Sequence, residues 1–157
     1  MKSHLKVLGH PLHPMLIVFP LGLLVTSVVF DGLALVTKKP DQARTAYKLI
    51  GAGVLSGIVA AASGTVDWTA IPSGTRAKRI GFWHGSGNVL LLTLFALSWK
   101  ARRADPEHPS KAALGLSLAG MMLGNLTAWL GGELTYRLGV GVDPGANLEA
   151  PNSLVED

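Results

Sequence analysis

The sequence predicts an all-α, integral membrane four-helix bundle. Three observations carry the prediction: long gaps between charges, aromatic residues at the ends of those gaps, and helices with no charged outer face. Charged residues make up 15% of the 157-residue chain, low against about 25% in ordinary globular proteins. Between Lys6 and Lys38 the only acid or strong base is Asp31, and between Lys48 and Arg76 only Asp67. None falls between Arg79 and Lys100, and only Glu133 between Lys111 and Arg137. Each gap holds roughly 20 or more mostly apolar residues, enough to cross about 30 Å of hydrocarbon. Spans are therefore expected at 14–36, 48–68, 83–99 and 112–136. Tyr47, Trp68, Trp83, Trp99 and Tyr136 lie near the proposed ends, as in interfacial aromatic belts. A soluble bundle would need a charged face on each helix, and these helices have none. Residues 1–142 form one transmembrane domain in this reading. The acidic tail 143–157, with Pro144, Gly145 and Pro151, is expected to be extended or disordered outside the bundle.

The first span opens with Gly9-His10-Pro11-Leu12-His13-Pro14. Pro11 and Pro14 remove two backbone donors and bias the residues before them away from helix. His10 and His13 are accordingly expected on an extended or turn segment leading into the first helix. Pro20, one turn deeper, is expected to kink that helix and free the Leu16 carbonyl. No small-x-small cleavage site follows the span, and it exceeds a typical h-region, so it reads as retained rather than as a signal peptide. The second span carries Ser56, Ala60, Ser63 and Asp67 at i, i+4, i+7 and i+11, one small and polar stripe. In the third, His84 and Asn88 are one turn apart on one face. In the fourth, Asn125, Trp129, Gly132 and Tyr136 follow the same rhythm with Glu133 beside them. Lipid does not satisfy such stripes, so all are expected to face inward. Gly53-x-x-x-Gly57 and Gly120-x-x-x-Gly124 add surfaces for close helix contact.

The chain contains no cysteine, which excludes disulfides, thiolate zinc sites, iron–sulfur ligation and c-type haem attachment. The formal charge of +4 resides in segments flanking the spans and is no signal for nucleic acid. Lys38, Lys39, Arg44, Lys48, Lys100, Arg102, Arg103 and Lys111 lie at one end of the spans. Lys2, Lys6, Arg76, Lys78, Arg79 and Arg137 lie at the other. The first set is the larger and is assigned to the cytoplasm, which puts both termini on the periplasmic or extracellular side of a bacterial cytoplasmic membrane.

With four spans, the starts of the first and third share an end of the bundle with the ends of the second and fourth. His10, His13 and His84 therefore meet Asp67, Trp68, Glu133 and Tyr136 at that end, while Asp31 lies roughly 27 Å away at 1.5 Å per residue, near the other interface. Ionisable groups at membrane depth are functional candidates, and three chemistries fit. A haem b could be held by His13 or His10 with His84, with Phe19, Trp68, Trp83 and Trp129 as walls and Arg76 or Arg79 at the propionates. A zinc, copper or iron ion could be held by His10, His13 and His84 with Asp67 or Glu133, although His-Pro-Leu-His matches no diagnostic metal spacing. A transport or assembly subunit could use the polar cluster as helix glue or as a proton path. The plainest reading of each histidine is a hydrogen-bonded interfacial residue. His4 and His108 lie in polar segments and carry no site.

Beyond the first motif, Phe19-Pro20-Leu21-Gly22, Asp31, His84 with Asn88, and Gly131-Gly132-x-Leu134-x-Tyr136-x-x-Gly139-x-Gly141-Val142 resemble the bacterial membrane family called domain of unknown function 2231. The likeness runs from about residue 9 to 142, nearly the whole chain, and its first and last motifs are fairly specific. It implies a four-helix membrane protein. Some members are joined to Rieske-type iron–sulfur domains, which implies a redox setting and a partner of that kind; the lipid bilayer and a second copy of the chain are the other partners expected. Many members carry a further His near Val18 and another near Leu138. This chain has neither, so only His10, His13 and His84 are carried over.

Overall fold

The computed structural model describes residues 3–154. Lys2, counted above among the basic flanks, and residues 155–157 of the expected tail lie outside the described residues. Four helical stretches, Leu12–Thr37, Pro40–Ala70, Arg76–Ala101 and Lys111–Arg137, are each long and apolar enough to cross a membrane. A short antiparallel hairpin precedes them, β1 (Lys6–Val7) and β2 (His10–Pro11). Its turn residues Leu8 and Gly9 have φ of 51° and 80°, the paired positive values that a tight two-residue hairpin turn demands.

The first span is α1 (Leu12–Leu16) followed by α2 (Val18–Thr37). The break falls at Ile17, just after the Leu16 carbonyl that Pro20 leaves without its donor. His13 is not on an extended lead-in, as its flanking prolines suggested, but inside α1. Pro14 sits in the first turn, where its missing N–H has no intrahelical acceptor to lose. Next come α3 (Pro40–Ala70), α4 (Arg76–Ala101) and α5 (Lys111–Gly132), with Glu133–Arg137 continuing α5 as a π turn. Two helices begin earlier than hydropathy indicated. Pro40 starts α3 from the first helical position, where its fixed φ is pre-organised. Thr75 caps α4, its hydroxyl accepting from the Lys78 N–H at 3.1 Å. Arg76, Lys78 and Arg79 therefore stand on the first turn of α4 rather than in a long loop.

The first and second spans pack along their length, as do the third and fourth; the second also packs on the third, the first touches the fourth more lightly, and the first meets the third least. The first and third spans thus lie diagonally across the bundle. Small residues make these contacts possible, the main means by which helices approach in lipid. A Cβ on Gly53 would come within 2.6 Å of Leu24, and one on Gly120 within 2.8 Å of Phe95.

Those two contacts belong to an internal repeat. Residues of the third span correspond to residues of the first at a separation of 71 positions, and the fourth corresponds to the second at 67. His13 matches His84, Leu24 matches Phe95, Ser27 matches Ser98, and Asp31 matches Arg102. In the partner spans Ala46, Gly53, Gly57, Ala60 and Gly64 match Ala113, Gly120, Gly124, Thr127 and Gly131. Leu24, Ser27, Asp31 and their counterparts Phe95, Ser98, Arg102 are all buried, as are Ala46 and Ala113. The two helical hairpins are parallel repeats about an axis along the bundle. Leu24 and Phe95, with Ile50 and Val54, fill its middle.

The inward stripe of the fourth span differs from the sequence reading. Ala113, Ser117, Gly120 and Thr127 are the residues buried on α5, whereas Asn125 is exposed, Trp129 is 63% exposed and Tyr136 is 89% exposed. The polar-aromatic rhythm was a lipid-facing one, because Trp and Tyr are at home at an interface while close contact selects Gly, Ala, Ser and Thr. The stripe on the second span holds: Ala60 and Ser63 are buried.

Candidate functional site

His13 and His84 occupy equivalent places in the two repeats and are held in the same way. His13 Nδ1 lies 2.9 Å from the Ala60 carbonyl oxygen of α3, and His84 Nδ1 lies 2.9 Å from the Thr127 carbonyl oxygen of α5. An N–H must face a carbonyl, so in the neutral form each ring carries its proton on Nδ1 and its lone pair on Nε2. Each imidazole lies over a glycine one turn beyond that carbonyl. A Cβ on Gly64 would meet His13 Cε1 at 2.8 Å, and one on Gly131 would meet His84 Cε1 at 3.1 Å. Both rings are half-buried.

Their surroundings are not identical. Ser63 Oγ sits 3.3 Å from His13 Nδ1 while donating to the Ala60 carbonyl at 2.8 Å. Asn88, one turn along α4, donates from Nδ2 to the His84 carbonyl at 3.0 Å and reaches His84 Nε2 at 3.1 Å. The position matching Asn88 in the first span is Ile17.

The other expected site residues are distributed around this pair. His10 is exposed on β2, its Nε2 3.2 Å from Ser153 Oγ, so the C-terminal segment rests on the hairpin. Asp67 accepts from Ser3 Oγ at 2.6 Å and from the His4 N–H at 3.2 Å, pinning the N-terminal segment across the end of α3. Arg76 pairs with Glu133 at 2.6 Å. Trp68 donates from its indole N–H to the Lys78 carbonyl at 3.1 Å, and Lys78 Nζ lies 4.0 Å over the Trp68 ring. Arg79 makes no ion pair among the described residues and lines a hollow of ≈ 270 Å³ beside Trp68 and Phe82. Trp83 is exposed and meets Phe82 edge to face at 5.4 Å. It borders a mostly apolar groove of ≈ 440 Å³ between α4 and α5, beside Gly87 and Thr127. The structure thus sets Asn88 against His84, places His13 at the matching position of the other repeat, and engages His10, Arg76 and Trp68 in other interactions.

Gly64, Thr127 and Gly131 complete the site; Gly131 stood in the last family motif, whereas Gly64 and Thr127 were not singled out from sequence. Their signal was nonetheless present: Gly53, Gly57, Ala60 and Gly64 repeat as Gly120, Gly124, Thr127 and Gly131. Among the described residues no three His, Asp or Glu side chains gather as a metal-ion site.

The fold is that of a small four-span membrane protein, built as two parallel hairpins, with His13 and His84 at matching positions of the two repeats. The chain belongs to the family described as "Predicted membrane protein (DUF2231)", which it matches over residues 9–144. No curated protein and no solved structure matches it.

Proposed function

We propose that the His13–His84 pair holds a haem b and that the protein is an electron-transfer component of a bacterial cytoplasmic membrane. The observation that carries the reading is the common anchoring of both rings. A histidine that ligates through Nε2 is normally oriented by an Nδ1–H bond to a carbonyl or carboxylate, and both rings have that bond in place. The donor set also fits in kind: one imidazole from each of two diagonal spans, at one depth, with Trp83 and Phe82 nearby as apolar surface. His13 and His84 would hold the group. Arg79 is the cation left to meet a propionate, since Arg76 is engaged by Glu133. A bound haem b would supply a one-electron iron couple.

The residues around the site determine how it would work. Gly64 and Gly131 leave room for the rings, and the carbonyls of Ala60 and Thr127 hold their tilt. The packed middle of the bundle, Leu24, Ile50, Val54 and Phe95, separates this end from the Asp31–Arg102 pair at the other. A site so placed exchanges electrons with a partner on its own face. A Rieske-type domain is the partner class we propose, with that face outside the cytoplasm. The same packed middle tells against a proton or solute path through the bundle, and a lone metal ion would find two histidine donors rather than three.

The test is cofactor analysis of protein produced with haem supply and purified in detergent. About one haem per pair of anchored histidines, extractable by acid solvent because the chain has no cysteine, is the expected result. Colourless protein with stoichiometric zinc or copper would replace the haem reading with a metal site. Protein with neither would leave a structural or transport role.

A further inference from the structure

We infer that the two histidines are chemically unequal, and that Asn88 makes His84 the exchangeable member of the pair. The inference deepens the haem reading and rests on it for the identity of the acceptor, but the inequality itself is a property of this chain's own side chains. Both rings present a lone pair at Nε2, because both Nδ1 hydrogens are taken by carbonyls, Ala60 for His13 and Thr127 for His84. On His84 that lone pair is already occupied. Asn88 Nδ2 lies 3.1 Å from it and 3.0 Å from the His84 carbonyl oxygen, so the amide nitrogen faces two acceptors at once. The opposite amide orientation would set oxygen against oxygen and against a lone pair, and is disfavoured on both counts.

His13 has no such cap. Its counterpart position to Asn88 is Ile17, which has no side-chain donor, and no donor among the described residues is bonded to His13 Nε2. Ser63 is near the other nitrogen and spends its hydroxyl hydrogen on the Ala60 carbonyl. An electron-pair acceptor entering the site therefore meets one open imidazole and one whose lone pair must first be released by Asn88. His13 would be the primary ligand, and His84 the second to bind and the first to leave, with Asn88 placed to recapture its lone pair. This gives the site a side on which a small exogenous ligand competes with His84, the function of Asn88 being to position that histidine rather than to touch the reacting atoms.

The experiment has two arms. In cofactor-free protein, long-range nitrogen–proton NMR of the histidine rings should show Nδ1–H tautomers at both residues. The Nε2 resonance of His84 should be displaced towards the hydrogen-bonded range relative to that of His13, and Asn88→Leu should remove the difference without moving His13. Equal Nε2 resonances in the unmodified protein, or no change on Asn88→Leu, overturn the inference. In the second arm hemin is titrated into the same proteins. His13→Ala should lose binding, whereas His84→Ala should keep hemin in a high-spin, single-imidazole form. Asn88→Leu should weaken carbon monoxide binding to the reduced protein by roughly two- to tenfold, the range for loss of one hydrogen bond, and Asn88→Gln should restore part of it. Equal loss in the two histidine variants also overturns the inference. Failure of the unmodified protein to take up hemin at all overturns the haem reading alone, and the NMR arm still decides the cap.

Discussion

Asp31 and Arg102 stand at matching positions in the two repeats and close on each other across the bundle, Nη1 to Oδ1 at 2.5 Å and Nη2 to Oδ2 at 2.8 Å. Arg102 is 0% exposed; its Nε donates to Ser98 Oγ at 3.2 Å and its Nη2 to Ser117 Oγ at 3.1 Å. A repeat of two identical halves would have set like against like here. The substitution of Asp in one half and Arg in the other turns that conflict into the bond that ties first span to third.

Removing one partner leaves a buried charge without its mate, which costs about 3–5 kcal/mol, whereas replacing both by apolar residues is often close to neutral. Arg102→Ala and Asp31→Ala are each expected to lower the midpoint of thermal unfolding in detergent sharply. The double variant Asp31→Leu with Arg102→Met should be more stable than either single one. A double variant worse than both would show that the pair contributes more than mutual compensation.

The glycine seats give a second prediction. Gly64→Ala and Gly131→Ala place a Cβ 2.8 Å and 3.1 Å from the imidazole carbons, so His13 must shift and His84 must give by a few tenths of an ångström. Both variants should retain helical circular dichroism and lose cofactor loading. Gly22, Gly32 and Gly115 have nothing within 4 Å of an added Cβ; Ala at these helical sites should be neutral or stabilising by up to about 1 kcal/mol. Normal loading in Gly64→Ala would disconnect the seat from the site.

Asp67 holds the N-terminal segment through Ser3 Oγ and the His4 amide. A hydrogen bond to a charged acceptor is worth about 1.5–3 kcal/mol. Asp67→Ala should therefore raise hydrogen exchange at the His4 amide by roughly tenfold or more, at 1.4 kcal/mol per decade, with the spans unaffected. Unchanged exchange at that amide would show that the latch contributes nothing.

Trp129 and Tyr136 supply a fourth test, because they face outward. Lipid-borne quenchers should reach Trp129 fluorescence in a variant whose other tryptophans are replaced by Phe, and Trp129→Leu should leave the site intact. A shielded Trp129 would contradict the register of α5 described here.

Much of this was legible in the sequence because charge gaps measure spans directly: four gaps gave four helices, and an even count put His13 and His84 at one end. Helix ends were less legible, since Arg76, Lys78 and Arg79 resembled a loop until Thr75 proved to be a cap. Helical face was least legible on the fourth span. In lipid both faces of a helix are apolar, so the packing side is marked by small residues rather than by polarity, and Trp129 and Tyr136 pointed the other way. Arg102 read as one more cytoplasmic charge because nothing local to it reveals Asp31, which is distant in the chain. The repeat would have revealed it: aligning His13 with His84 places Asp31 on Arg102 and Gly64 on Gly131.

Whether the two anchored imidazoles on diagonal spans form one cofactor site is decided by the optical spectrum of the reduced protein, read beside those of His13→Ala and His84→Ala. A Soret band with sharp α and β bands is expected in the unmodified protein, lost as a low-spin signature in each variant. Sharp low-spin bands that survive unchanged in both variants would contradict a single shared site.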